Sequence, residues 1–140
     1  MATDKKISAL TSGIPSTSAD EYIIARSGVN YKITDRHIRS IPQSGAAKTT
    51  SYSLATTDVG RFIEVGASGA ITIPDATFAA GDVVSIFNNT SGNVTITCTI
   101  TTAYIAGTDA DKATVSLATR GVATILFLSG TVCVINGNVS

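Results

Sequence analysis

Hydrophobic and polar residues alternate along most of this chain. In the segment "SGNVTITCTI", Val94, Ile96, Cys98 and Ile100 occupy every second position, and threonines fill most of the positions between them. Successive side chains of a strand point to opposite faces, so this pattern predicts a strand with one apolar face and one face of threonine hydroxyls. Threonine is β-branched and fits a pleated strand well.

Short β segments of this kind follow one another through residues 52–140, separated by glycine, serine and asparagine. Eight segments are predicted as strands: "YSLA", "GRFIEV", "AITIP", "DVVSIFN", "NVTITCTI", "ATVSLA", "GVATILFL" and "TVCVIN". Many short strands with regularly spaced turn residues are typical of a sandwich or barrel. We therefore predict an all-β fold, an antiparallel β-sandwich or jelly-roll-like domain over residues 52–140.

The N-terminal region has a different composition. Half of the 10 basic and 10 acidic residues of the chain lie in its first 39 positions. Within this region "EYIIARSGVNYKIT" predicts a hairpin with a glycine-containing turn, and "DRHIRSI" a short helical turn capped by Thr34 or Asp35. Residues 1–41 are therefore predicted to be an extended arm with a short hairpin. The small, polar stretch 42–51 has the composition of a linker.

Charged residues are scarce, and this limits the classes of partner. They make up 14% of the chain, against about 25% in typical globular domains, and the net charge is zero. Much of the surface is therefore expected to be buried against other chains. A balanced charge without a basic run argues against nucleic acid. The most apolar run, "GVATILFLSGTVCVING", is interrupted by polar residues and is too short for a membrane span, and the N-terminus shows no export signal.

Residues with catalytic or metal-binding chemistry are few. His37 is the one histidine, and it lies in the arm, so no serine or cysteine triad can be built in the β domain. Asp109 and Asp111 lack the later ligands of a calcium loop, which favours a hydrated loop. Cys98 and Cys133 lie in apolar strands and are expected to be buried free thiols, with a disulfide as the alternative. We therefore expect no enzyme activity, no cofactor and no metal.

Two parts of the chain resemble bacteriophage fibre proteins. The order "YSLATTDVGRFIEVGASGAITIPDATFAAGDVVSIFNNTSGNVTIT", followed by "ATVSLATRGVATILFLSGTVCVINGNVS", is similar to a small β domain of phage tail fibres, head fibres and related virion proteins. The N-terminal "KKISALTSGIPSTSADEYIIARSGVNYKIT" resembles their virion-attachment segments. The resemblance implies a homotrimeric structural protein of the virion, assembled in the cytoplasm of the bacterial host. Many fibres of this kind carry a long shaft or a separate tip, and this sequence has neither. A virion structural protein is therefore favoured over a dedicated host-adhesion device: a short capsid fibre or decoration protein, with a tail component as the alternative.

Two sets of residues are candidates for contacts in such a particle. The apolar residues of the arm cannot be buried by a lone hairpin, so we expect them to bind capsid or tail proteins: Ile7, Leu10, Ile14, Tyr22, Ile24, Tyr31, Ile33 and Ile38. The strand "GVATILFL" is apolar on both faces. Its residues Val122, Leu126 and Leu128 are therefore candidates for the oligomer interface. Alternatively, this strand is simply central in the sandwich.

A second class of function is a module that binds glycans of the host surface. Such sites usually present exposed aromatic side chains beside carboxylates or amides. Tyr104, near "GTDAD", is the best candidate in this chain. Aromatic residues make up only 6% of the sequence, and tryptophan is absent, so this reading is the weaker one.

Overall fold

The computed structural model describes residues 21–34 and 40–140. The chain divides into two compact units, Met1–Ser40 and Ile41–Ser140. Several predictions fall outside the described residues: most of the helical turn predicted through residues 35–41, of which 35–39 are not described, and the arm residues Ile7, Leu10, Ile14, His37 and Ile38.

The described part of the first unit is the predicted hairpin. Strands β1 (Glu21–Arg26) and β2 (Val29–Thr34) pair antiparallel and are joined by a two-residue turn, Ser27 and Gly28. Both turn residues have positive φ, 51° and 76°. A two-residue turn with positive φ at both positions matches the twist of a hairpin, and glycine adopts it without strain.

The second unit is a β-sandwich, which confirms the predicted fold class. Its strands in residues 41–140 are β3 Ser51–Ser53, β4 Phe62–Val65, β5 Ala70–Ile73, β6 Val83–Asn88, β7 Val94–Cys98, β8 Thr102–Ile105, β9 Thr114–Leu117, β10 Val122–Phe127 and β11 Val132–Gly137. A 3-10 turn, Thr56–Asp58, follows β3. The eight predicted segments all contain a strand, whereas β8 was not anticipated.

The two sheets are mixed, which corrects the expectation of antiparallel pairing. The five-stranded sheet has the order β4-β6-β10-β11-β8, and the four-stranded sheet has the order β3-β5-β7-β9. Strand β10 pairs antiparallel with both of its neighbours, and β7 pairs antiparallel with β9. The pairs β4–β6, β8–β11, β3–β5 and β5–β7 are parallel. Hydrophobic alternation sets which face of a strand is buried, but it does not set the direction of the neighbouring strand.

The core lies between the sheets and is built from every second residue of each strand. Ile125 and Phe127 of β10 are fully buried, as are Ile71 and Ile96 of the opposite sheet. The rings of Phe78 and Phe127 stack with centroids 3.9 Å apart. Cys98 and Cys133 belong to this core as free thiols, as predicted.

Residues 42–51 belong to the sandwich, so the expectation of a linker is corrected. Gln43 and Lys48 form parallel bridges with Phe62 and Val65 of β4. The backbone N–H of Ser44 donates to the carbonyl of Phe62 at 2.8 Å, and the side chain of Ser44 is buried. The segment covers a sheet edge with its backbone, a role that its polar composition does not reveal.

Two other sheet edges are covered in the same way. At β9, the backbone of Ser116 exchanges two hydrogen bonds with that of Ser140, at 2.9 and 3.1 Å. At β8, Tyr104 bridges to Asp111, and the N–H of Lys112 donates to Ala103. Covered edges keep their backbone groups from pairing with other chains.

Candidate functional site

The hairpin has one mainly apolar face. In its register, Tyr22 lies opposite Ile33, and Ile24 lies opposite Tyr31. These positions have the same parity, so Tyr22, Tyr31 and Ile33 share one face. In the same register Arg26 lies opposite Val29. Val29 belongs to the same face and is exposed, as are both tyrosines.

The other face of the hairpin is mixed. It carries the cross-strand pairs Ile23 with Lys32 and Ala25 with Asn30. Ile23 is 79% exposed in the described structure. A depression of about 390 Å³ is lined by Ile23, Asn30 and Lys32 of this face together with Tyr31 of the mainly apolar face.

The outer face of the four-stranded sheet is a surface of hydroxyl groups. One row crosses all four strands as Ser53, Thr72, Thr97 and Thr114, each paired with the next in register. Thr95 pairs with Ser116 in the adjacent row. The threonine face predicted from sequence therefore continues across neighbouring strands.

The outer face of the five-stranded sheet carries apolar side chains. One row crosses four strands as Val83, Leu126, Val134 and Tyr104, each paired with the next in register. A second row, polar apart from its first member, joins Phe62, Ser85, Thr124 and Asn136. Phe87 pairs with Val122 in a third row. We call this surface the apolar face.

The three candidate interface residues lie on this face. Val122, Leu126 and Leu128 are 48%, 41% and 50% exposed, whereas their chain neighbours Ile125 and Phe127 are fully buried. The structure therefore answers a question that the sequence left open, namely which parity of this doubly apolar strand points outward. Their neighbours on the face were missed: Phe62, Val83, Phe87, Val132 and Val134. The double apolar parity of "DVVSIFN" was a signal for two of them.

Charge is nearly absent from the sandwich strands. Across β3 to β11, within residues 41–140, Glu64 is the one charged residue. It lies on the edge strand β4, where its carboxylate accepts hydrogen bonds from Gln43 at 3.1 Å and from Asn89 at 2.7 Å. The guanidinium of Arg120 donates in turn to Asn89. Glu64 is thus held by local amide groups at the margin of the apolar face.

A buried carboxylate lies in the 3-10 turn that follows β3, the first strand of the sandwich. Asp58 is fully buried and accepts hydrogen bonds from the hydroxyls of Ser44 and Tyr52 and from the N–H of Ala55 at 2.8 Å. Burial is the main factor that raises the pKa of Tyr52 above its usual value of 10.0, and its bond to Asp58 adds to it. The ammonium of Lys48 lies 4.2 Å from the centre of the Tyr52 ring. These contacts tie residues 44–58 together.

The remaining candidates occupy separate places. Tyr104 is half-buried in β8, and the carboxylate of Asp111 accepts a hydrogen bond from the N–H of Ala103 at 2.8 Å. Among the described residues, no three His, Cys, Asp or Glu side chains gather closely enough to hold a metal ion. Those same residues include no helix that is long and apolar enough to cross a membrane.

Comparison with known proteins finds no relatives. No family model matches the chain, and no curated protein or solved structure does so either.

Proposed function

We propose that this chain is a structural protein of a bacteriophage particle, a short trimeric capsid fibre or decoration protein. Its N-terminal arm anchors it to the capsid, and its β-sandwich is displayed. The resemblance of its sequence to phage fibre and attachment segments supports this assignment. The structural observation that carries it is the mainly apolar, exposed face of the hairpin, which belongs to a unit separate from the sandwich.

The hairpin has the properties of a docking element. A two-stranded hairpin is at best marginally stable in water, because it has no second layer to cover its apolar side chains. Val29 and Tyr31 are about half exposed, with Tyr22 beside them on the same face. Burying a large aliphatic side chain contributes roughly 1.5 to 3 kcal/mol, so several docking together would offset the entropy of ordering the arm.

Binding to particles that lack the protein tests the anchor. We expect the full-length protein to bind such particles, and a variant with Val29→Thr and Tyr31→Thr to bind much more weakly. The matched control carries Ile23→Thr and Asn30→Thr on the opposite face and should bind normally. Equal binding by all three proteins would contradict an anchor at this face.

Deletion of the arm, and its transfer to another protein, test whether the arm or the sandwich contacts the particle. Because residues 41–51 belong to the sandwich, the deletion should end at Ser40. The shortened protein should be absent from purified particles, and residues 1–40 fused to an unrelated trimeric protein should bind them. Normal occupancy by the shortened protein would show that the sandwich makes the contact. Immunogold labelling of particles separates capsid attachment from the alternative, a tail component.

A further inference from the structure

The apolar face of the five-stranded sheet is a second exposed surface, and the proposed anchoring role of the arm gives it no function. We infer that it is the surface through which copies of this chain associate, with Leu126 near its centre. The inference rests on the proposed function only in taking the protein to be an oligomer. It commits to a second copy of the chain as the occupant of the face.

The geometry of the row around Leu126 makes it suitable for burial. Val83, Leu126, Val134 and Tyr104 are consecutive partners across four hydrogen-bonded strands. Neighbouring strands lie about 4.8 Å apart, so the row forms a continuous apolar band about 14 Å long. Leu128, which is 50% exposed, follows on the same side of the chain, and its N–H donates to the carbonyl of Val132. Such contiguous apolar surfaces mark interaction sites.

The charges of the face favour a copy of itself over a charged partner. Glu64 is the one charged residue on the described strands of the sandwich, and it lies at the margin in bonds with Gln43 and Asn89. An acidic or basic partner would have to bury its own charges against an apolar band without a counter-charge, which is costly. An identical face brings only its own Glu64, which lies on the edge strand β4 opposite Phe87, away from the row around Leu126, so little charge is buried.

The polar groups of the face can also pair with themselves. Ser85, Thr124 and Asn136 form the row beside the apolar band. Hydroxyl and amide groups both donate and accept hydrogen bonds, so each can bond to a polar group of the same row in another copy. Carboxylates or ammonium groups at these positions would repel those of an identical chain. The apolar band and the polar row beside it are therefore both suited to contact with an identical surface.

The face also approaches the size that self-association requires. Five strands span about 19 Å, and the outward positions from Val122 to Leu128 span about 20 Å at 3.3 Å per residue. Two such faces present roughly 800 Å² in projection, and more in accessible area because side chains protrude. This approaches the roughly 1,000 Å² at which specific interfaces begin. The hydroxyl face of the other sheet has a similar extent but offers no apolar band.

The test compares one substitution on each outer face of the full-length protein. Leu126→Lys and Thr95→Lys both place a lysine at an exposed position within a strand, on the apolar and hydroxyl faces respectively. We expect the Thr95→Lys variant to keep the mass of the native oligomer in a light-scattering dilution series. On dilution, the oligomer of the Leu126→Lys variant should dissociate at a protein concentration at least about tenfold higher than that at which the native oligomer dissociates.

Two further variants guard against a folding defect. Leu126→Thr keeps a strand-forming residue and should also weaken association, while circular dichroism reports an intact fold. Leu126→Cys should crosslink between copies with a short bis-maleimide, whereas Thr95→Cys should not. A monomeric native protein, or equal association of the lysine variants, would overturn the inference. A dimer that depends on Leu126 would support this interface and contradict the proposed trimer. Loss of particle binding with association unchanged would test only the anchoring role of the arm and would leave this interface standing.

Discussion

The hydroxyl of Tyr52 donates to both carboxylate oxygens of Asp58, at 3.2 Å to Oδ1 and 3.0 Å to Oδ2. Tyr52 lies in β3, and Asp58 ends the 3-10 turn that follows. The hydroxyl of Ser44 joins the same carboxylate from the segment that covers the edge of β4. One buried side chain therefore secures the start of the sandwich.

Replacing this carboxylate should destabilise the domain. In Asp58→Asn, the amide nitrogen cannot accept a hydrogen bond, so at least one buried donor loses its partner. We expect the free energy of unfolding to fall by about 2 to 3 kcal/mol in urea titrations. The control, Asp75→Asn, alters an exposed carboxylate that accepts from the N–H and hydroxyl of Thr101. It should change stability by less than about 1 kcal/mol, and an equal loss in both variants would contradict the role of Asp58.

Gly69 tests whether residues 42–51 belong to the fold. A methyl group at Gly69 would overlap the carbonyl oxygen of Lys48 and approach Cγ1 of Val65 to 2.6 Å. Gly69→Ala should therefore lower the free energy of unfolding by about 1 to 3 kcal/mol. At Gly92 no atom lies within 4 Å of the added methyl, so Gly92→Ala should be neutral or stabilising by up to about 1 kcal/mol. If Gly69→Ala were equally neutral, the segment would not pack as described.

Two adjacent residues of β10 should respond differently to the same substitution. Ile125 is fully buried, and Leu126 is 41% exposed. An aspartate at position 125 places an unpaired charge in the core and should prevent folding. Leu126→Asp should retain the strand content and a cooperative melt by circular dichroism while losing association in light scattering. Unfolding of both variants would place Leu126 in the core of a single chain.

The thiols should be unreactive in the native protein. Burial is the largest cause that raises the pKa of Cys98 to about 11 and that of Cys133 to about 12. The nearby Asp111 adds to both shifts. Because the thiolate is the reactive species, labelling at pH 8 should be slow in buffer and fast in urea. Rapid native labelling, or a disulfide found by mass spectrometry, would contradict this expectation.

The same shifts predict a loss of stability in alkali. The folded state holds each thiol protonated above the ordinary pKa of 9.0, so this contribution is complete below pH 9. It declines as the pH rises from 9 towards 11 to 12, because the unfolded chain ionises first. The raised pKa of Tyr52 acts in the same direction above pH 10. The urea concentration at the unfolding midpoint should therefore be lower at pH 10 than at pH 8. Equal midpoints at the two pH values would contradict buried thiols.

Sequence reasoning succeeded where a pattern is local. Alternation located eight of the nine sandwich strands, because each buries every second residue. It missed β8, where Ala103 is the one fully buried residue in "TAYI". The sequence also contained no signal for the role of Asp58, because Ser44 lies 14 positions away and their contact exists only in the folded chain.

The outer faces show the same limit. In "GVATILFL" both parities are apolar, so periodicity could not tell the core from the surface. Only packing against the other sheet, which buries Ile125 and leaves Leu126 exposed, shows which of the two points inward. The apolar band itself joins residues from four strands, and no single segment of the sequence contains it.

The covered sheet edges limit how copies of this protein can grow into larger structures. Residues 43–48, Asp111 and the C-terminal residues Asn138–Ser140 occupy the backbone of three edges, and the fourth, β3, is only three residues long. Strand addition between the sandwiches of two copies therefore finds little to pair with. Within the described residues 41–140, copies would have to meet through side chains, as in the contact proposed around Leu126. Concentrated solutions of residues 41–140 should accordingly lack fibrils built by pairing of sandwich strands.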